Sequence, residues 1–513
     1  MTVSTLPACC AWAARTYGDA PYIEDGDTKL SFRQFNAERR RFAAALLASG
    51  VEPGDRVMIL APNCAHWLIA AMGIASIGAI MIPVSTRFTG REIEDLALRG
   101  GARMIVSVGD FLKSYYPDLL TPATRDQVNE VVVIGRAGHD TAWDDFMARA
   151  GGVPDETLAT HEDAVTGDTV SDILFTSGTT GRSKGVMYAH KQFIDVVTAW
   201  TARVGLRKGD RTLVIPPFFH AFGYRGGAIG SLIVGATVLP HQAFDAGEVL
   251  ERVARDRVTV IPGPPAIFQG MLNHPGFDQI DRSSLRLGIT GGAVIPSVLV
   301  ERMRNELGCE GVCNGYGLTE CGGYGTMCNT TDPIDVVAKT AGPPMPSVEI
   351  EMMDEAGRIL PRGETGEIVV RGYIVMQGYF DDPEATAATI DAEGWLHTGD
   401  VGRLDAAGNL VVEDRLKDMF IAGGFNCYPA EIERILSSHP AVGQAAVIGI
   451  PDARLGEVGK AFVVLRPGTR ATPDELIAWS RENMANYKVP RVVEIRATLP
   501  VSPQGKVLKR ELA

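Results

Sequence analysis

The chain of 513 residues has only eight cysteines, no long uncharged apolar run and no excess of positive charge. Each shortage removes a class of protein. Eight irregularly spaced cysteines are too few for a disulfide-built fold. Cys309, Cys313, Cys321 and Cys328 cluster, but without Cys-x-x-Cys spacing or a close histidine, so buried thiols are expected there rather than a metal site. The longest apolar stretch, Leu68 to Val84, contains Gly73 and Gly78 and reaches Pro83, falling short of a membrane span. A buried helix followed by a core strand is expected instead. The amino terminus lacks a basic leader region and soon reaches Arg15 and Asp19, which predicts no signal peptide and a cytoplasmic protein. A formal charge of −13 disfavours nucleic acid as a partner. Internal repeats and low-complexity segments are also missing. The acidity is uneven: Lys488, Arg491, Arg496, Lys506, Lys509 and Arg510 crowd the last stretch against Glu494 and Glu511. That patch suits a small anionic ligand or a solvated helix face.

What remains is an ordinary globular composition, 45% hydrophobic and 22% charged, in a chain longer than one core normally supports. From Arg56 to about Leu360, short β-rich runs alternate with helical patterns. The strands expected are Arg56–Leu60, Met104–Val106, Val131–Ile134, Thr212–Ile215, Val258–Ile261 and Leu285–Ile289. The helices include His190–Val204, Gly247–Asp256 and Pro296–Leu307. This alternation predicts doubly wound α/β sheets. After Gly342 come glycine-punctuated strands (Val348–Met353, Glu367–Arg371, Leu410–Glu413) suited to a small β-rich subdomain. The rest reads strand, helix, strand, strand, helix, strand. The fold class expected is therefore α/β: a large amino-terminal domain (residues 1–414) with the β-rich subdomain, then a small mobile α+β domain (residues 415–513).

Residues Thr176 to Val186 read Thr-Ser-Gly-Thr-Thr-Gly-Arg-Ser-Lys-Gly-Val after the apolar run Ile173-Leu174-Phe175. Gly178, Gly181 and Gly185 allow backbone N–H groups to approach an anion. Ser177, Thr179, Thr180 and Ser183 add hydroxyl donors, and Arg182 and Lys184 add charge. The spacing fails the Walker A pattern, because Lys184 is followed by Gly185. By composition the stretch is a polar surface loop or a phosphate cradle. Three further strings narrow the choice: Gly315-Tyr316-Gly317-Leu318-Thr319-Glu320, Trp395-Leu396-His397-Thr398-Gly399-Asp400 with Asp414-Arg415-Leu416-Lys417-Asp418, and Pro500-Val501-Ser502-Pro503-Gln504-Gly505-Lys506-Val507.

In this order, and from Leu30-Ser31-Phe32 to Lys506, the strings resemble those of the adenylate-forming enzymes: acyl-CoA synthetases, peptide-synthetase adenylation domains and luciferases. The resemblance implies that Thr176, Ser177, Gly178, Thr179, Thr180, Gly181 and Lys184 hold ATP phosphates. It implies Thr319 on the α-phosphate, Glu320 on Mg²⁺, and Asp400 with Arg415 on the ribose. Gly291, Gly292 and Ala293 would leave room for adenine, Tyr316 would cover its other face, and Gly317 would belong to the same cofactor site. Lys506 would be the catalytic lysine, neutralising charge as a carboxylate attacks the α-phosphate. Lys417 falls on the hinge, and Gly423 and Gly424 on the pantetheine path. His220 matches an aromatic gate beside the carboxylate; a core histidine is its other reading.

The implied reaction joins a small carboxylic acid to the thiol of coenzyme A through an acyl adenylate. Loading of a carrier protein is the alternative, and a non-catalytic homologue would lack the lysine, glutamate or aspartate that are all present. The acyl pocket is expected around Phe222, Tyr224, Arg225, Gly322 and Gly323. Arg225 would meet a polar acyl substituent or a surface carboxylate, and the glycines would admit a bulky or ring-bearing acid as well as a linear or medium-chain one. The strings Pro-Phe-Phe-His-x-Phe-Gly-Tyr, Pro-Gly-Pro-Pro and Gly-Gly-Phe-Asn-x-Tyr-Pro are similar to those of ligases acting on propanoate side chains of degraded steroid rings. A homodimer is left open. Ser183 stands where many relatives carry proline, which predicts a looser loop before ATP binds.

Overall fold

A computed structural model describes residues 3–176, 183–291, 295, 297–415, 420–427, 429–466, 468–500 and 509–512. Two eight-stranded sheets dominate the large domain. The first runs Thr326–Met327, Gly311–Tyr316, Leu287–Gly291, Val260–Pro262, Arg211–Val214, Thr237–Pro240, Pro21–Asp25, Thr28–Ser31. The second runs Gly378–Tyr379, Lys184–Ala189, Val170–Thr176, Ile80–Pro83, Arg56–Leu60, Ala102–Val108, Glu130–Ile134, Thr141–Ala142. Their central strands pair in parallel, with antiparallel strands at both edges of the first sheet and at the Gly378–Tyr379 edge of the second. Helices cover the parallel strands on both faces, so those strands read as continuous apolar runs: Val57, Met58, Ile59 and Leu60 are all fully buried.

Local chemistry fixes the covering helices. Phe32–Ala48 starts with a capping box in which Ser31 and Gln34 satisfy each other's backbone N–H. His190–Val204 stops at Gly205, whose φ of 66° supplies a left-handed cap. The apolar stretch after Leu68 folds as expected: the buried helix Ala65–Ser76 is followed by the core strand Ile80–Pro83.

A four-stranded antiparallel sheet follows, in the order Val348–Met353, Gly366–Gly372, Leu396–Leu404, Leu410–Arg415. The carboxyl-terminal module carries a five-stranded sheet with helices Pro429–Ser437 and Pro473–Asn483. Its long hairpin, Val442–Asp452 with Gly456–Leu465, alternates between faces beyond an irregularity at Val442–Gln444. Val447, Ala461 and Val463 pack under the two helices, while Ala446, Ile448 and Phe462 pack against Leu499 and Leu512 on the opposite face. Among the described residues no helix is long and apolar enough to cross a membrane.

Candidate functional site

Three expected site positions sit at carboxyl ends of strands: Thr176 in the second sheet, Gly291 and Tyr316 in the first. Open α/β sheets bind ligands at such ends, where loops leave the parallel strands. The ends open on one cavity of about 2180 Å³, which also reaches Asp400, Gly423 and Gly424. A single small-molecule site usually takes roughly 300–1,000 Å³, so this cavity has room for more than one reactant.

Glu320 and Asp400 are held by tyrosines. Tyr379 Oη donates to Glu320 Oε1 at 2.9 Å, and Tyr316 Oη donates to Asp400 Oδ2 at 2.7 Å. Burial raises the Glu320 pKa, against the hydrogen bond from Tyr379 and the charge of Lys184. Lys184 Nζ lies 4.6 Å from the centre of the Tyr379 ring, so this tyrosine joins the Lys184 cation to the carboxylate. Asp400 is the Cα partner of Arg415 across adjacent antiparallel strands. Gly317 is fixed by space: a Cβ there would fall 2.3 Å from the Gly323 carbonyl oxygen.

A half-buried carboxylate whose pKa desolvation has raised is a group that a divalent cation would compensate, so Glu320 fits Mg²⁺. Groups of three or more potential metal ligands are absent among the described residues. A magnesium ion here would therefore take its remaining ligands from substrate phosphate and water, its common habit.

His220 lines the cavity and is exposed to it. Desolvation by the surrounding walls, with Arg225 adding, lowers its pKa to about 4, so the imidazole is neutral near pH 7. Nδ1 accepts from the Phe222 N–H at 3.3 Å, which leaves the proton on Nε2.

The pocket expected around the helix after His220 needs correction. Phe222 and Gly323 line the cavity, joined by Tyr324. Arg225 does not: it is fully buried, with Nη2 2.8 Å from Asp172 Oδ1, and its guanidinium lies 4.0 Å and 4.9 Å from the ring centres of Tyr188 and Phe193. Tyr224 packs on Trp67 and Phe193, equally far from solvent. Successive side chains on a helical segment point to different sides, and Phe222–Ile229 presents only its start to the cavity. Gly322 is a turn residue at φ 72°, its missing Cβ facing Tyr188 rather than the cavity. Ser183 is also tied down, its carbonyl accepting from Arg99 Nη1 at 2.7 Å. The four clustered cysteines are buried thiols, and burial lifts Cys309 and Cys321 to about 12.

Sequence reasoning placed Tyr324 in the acyl pocket but missed Tyr379 and His397. His397 lies in a quoted string, yet nothing local marks its partners: Nδ1 is 2.9 Å from Glu367 Oε2 and Nε2 3.5 Å from Asp391 Oδ2. Burial opposes its charge, but both carboxylates hold its pKa above the ordinary value. Glu367 also accepts from the Gly399 N–H at 3.0 Å, fixing the turn that carries Asp400.

On the module side, Gly423 and Gly424 form the turn between Phe420–Ala422 and Phe425–Cys427, with φ of 59° and 83°. A Cβ on Gly424 would lie 3.0 Å from Pro264 Cγ of the large domain. Ser177, Gly178, Thr179, Thr180, Gly181, Gly292, Ala293, Lys417 and Lys506 lie outside the described residues, as does the Arg415 side chain. Leu499 and Leu512, which bracket Lys506 in sequence, pack on the sheet face opposite the helices that border the cavity through Glu431, Ile435 and Asn483.

Residues 10–380 match the family model "AMP-binding enzyme", and residues 431–506 match "AMP-binding enzyme C-terminal domain". The chain is 46% identical over 508 residues to a 3-[(3aS,4S,7aS)-7a-methyl-1,5-dioxo-octahydro-1H-inden-4-yl]propanoyl:CoA ligase of Mycobacterium tuberculosis, covering 99% of this chain and 98% of that protein. It is 44% identical to the ligase of the same name from Rhodococcus jostii, with the same coverage. Among solved structures, o-succinylbenzoate CoA synthetase of Bacillus subtilis superposes with a TM-score of 0.82 at 27% identity, over 98% of both chains.

Proposed function

Because this chain belongs to the AMP-binding enzyme family and is an ATP-dependent acid–thiol ligase, we propose that its acid is a propanoate carried on a fused, oxidised ring system and that its thiol is coenzyme A. The observation that carries the proposal is the full-length identity, above two-fifths, to two ligases named for one bicyclic propanoate. A cavity walled by Phe219, Phe222 and Tyr324 suits such a ring.

In this reading the carboxylate enters past neutral His220, which adds no positive charge to compete for it. The carboxylate oxygen attacks the α-phosphorus of ATP, pyrophosphate leaves, and an acyl adenylate forms. The thiol then attacks the acyl carbonyl, and AMP leaves. The Thr176 loop with Lys184 and Thr319 holds phosphate, Tyr316 and Gly291 frame the base, and Asp400 with Arg415 holds the ribose. Mg²⁺, held through Glu320, supplies charge neutralisation on the phosphates. Lys506 supplies a cation where charge develops, worth about 3–4 kcal/mol for such a donor. Lys417 serves as the hinge about which the module turns.

The test is ATP–pyrophosphate exchange across linear, aromatic and ring-bearing propanoic acids, followed by thioester formation with coenzyme A. Exchange should be fastest with a bicyclic dione propanoate. Fast exchange confined to linear acids would refute the substrate assignment, and transfer only to a carrier-protein thiol would refute coenzyme A.

A further inference from the structure

One cation at the junction of the two domains is almost without solvent. Lys488, just after helix Pro473–Asn483, is 2% exposed. Its Nζ lies 2.9 Å from Glu92 Oε1, on helix Gly90–Arg99 of the large domain, and 2.8 Å from Glu431 Oε1 in the module's own helix Pro429–Ser437. The rings of Phe88 and Tyr487 approach Nζ at 4.6 Å and 5.6 Å. Burial pushes against the charge, but Tyr487, Glu431 and Glu92 together hold the lysine well above its ordinary pKa. Two contacts reinforce the junction: Arg91 Nη1 donates to Asn483 Oδ1 at 2.9 Å, and the Arg87 guanidinium lies 4.3 Å above the Phe425 ring.

Carboxylates from two separate domains converge on this lysine only while the domains are docked as they are here. Turning the module away separates Lys488 from Glu92 and leaves it with Glu431. The same docking presses the Gly423–Gly424 turn toward Pro264 at the cavity. The geometry points to Lys488 and Glu92 as a latch that is open while the adenylate is being formed and then closes to hold the module in the orientation serving thiol transfer. The inference rests on the two-step ligase reading. Both residues are positioning residues, acting on the orientation of the module.

Glu92 has a second duty that guides the choice of variant. Its Oε2 accepts from the Thr89 N–H at 2.8 Å in the capping box that starts its helix. Glu92→Gln keeps a capping acceptor and removes the charge. Lys488→Met keeps the apolar stem. Both variants should release pyrophosphate from ATP and acid, without coenzyme A, within about twofold of the wild-type rate. Acyl transfer from preformed adenylate should slow roughly tenfold, within the usual range of coupling between distinct sites. The KM for coenzyme A should hold, and Lys488→Arg should restore most of the transfer.

All eight native cysteines are buried, so dyes placed through Leu98→Cys and Val492→Cys, both exposed positions on opposite domains, report docking by energy transfer. Without coenzyme A, Glu92→Gln should lower the docked population. Equal slowing of both half-reactions, unchanged energy transfer, or a rise in KM for coenzyme A alone would each overturn the latch. A wild-type protein that performs neither half-reaction would overturn the ligase reading, and the latch with it.

Discussion

Asp172→Ala should be among the most destabilising single substitutions in the large domain while leaving acid preference unchanged. Asp172 and Arg225 are both fully buried, 2.8 Å apart, and Arg225 Nε and Nη1 have no hydrogen-bond partner. Removing the carboxylate leaves a guanidinium stranded among Tyr188, Phe193 and Tyr224. Breaking a buried pair from one side costs about 3–5 kcal/mol, because an uncompensated charge remains. The faces of Tyr188 and Phe193 flank the guanidinium with or without Asp172, so they leave this difference unchanged. A domain of about 400 residues unfolds with roughly 0.8 kcal/mol per kelvin of entropy, so the large-domain transition should fall by about 3–6 °C in calorimetry. Replacing both partners with apolar groups, Asp172→Leu with Arg225→Met, should recover most of the loss. Activity ratios across a panel of acids should match wild type at a temperature where the variant is folded. A shift in acid preference with unchanged melting would refute the reasoning and return Arg225 to the pocket wall.

Four further outcomes are expected. Tyr379→Phe removes the hydrogen bond that lowers the Glu320 pKa, so the acid limb of pyrophosphate release should move to higher pH; a stopped-flow pH profile identical to wild type would contradict this. His190 is buried, its Nδ1 accepting from the Leu6 N–H, and burial lowers its pKa from 6.5 to about 3. The unfolded chain therefore binds a proton that the native state refuses, so stability declines as pH drops from about 6.5 toward 3, at up to about 1.4 kcal/mol per unit, and His190→Gln should flatten that part of a urea-midpoint profile. Lys506→Ala should lose pyrophosphate release by about 10²–10³-fold and spare acyl transfer from preformed adenylate, measured as separate half-reactions. Gly424→Trp should do the reverse, since even a Cβ meets Pro264 at 3.0 Å and the φ of 83° disfavours any side chain.

The sequence was most legible where its signals were local. Strand Arg56–Leu60, helix His190–Val204 and strand Val348–Met353 fold within the expected bounds, because periodicity, a glycine stop and turn residues act over one or two turns of chain. The helix after His220 went wrong for the opposite reason. Arg225 reads as a polar wall residue until Asp172, fifty-three positions earlier in the chain, is brought beneath it. Tyr379 stayed unread because nothing near it in sequence reveals that its hydroxyl reaches Glu320.

Sequence alone carried the proposed chemistry in short contiguous strings: the candidate phosphate loop at Thr176, the candidate magnesium carboxylate at Glu320, the candidate ribose acid at Asp400 and the candidate catalytic lysine at 506. Tertiary structure decided what joins them. The tyrosine partners of the carboxylates, the cavity walls that lower the His220 pKa, the interior ion pair of Arg225 and the lysine latch between domains all depend on groups far apart in sequence. Their energies come from proximity and desolvation, which exist only once the sheets and the module have packed.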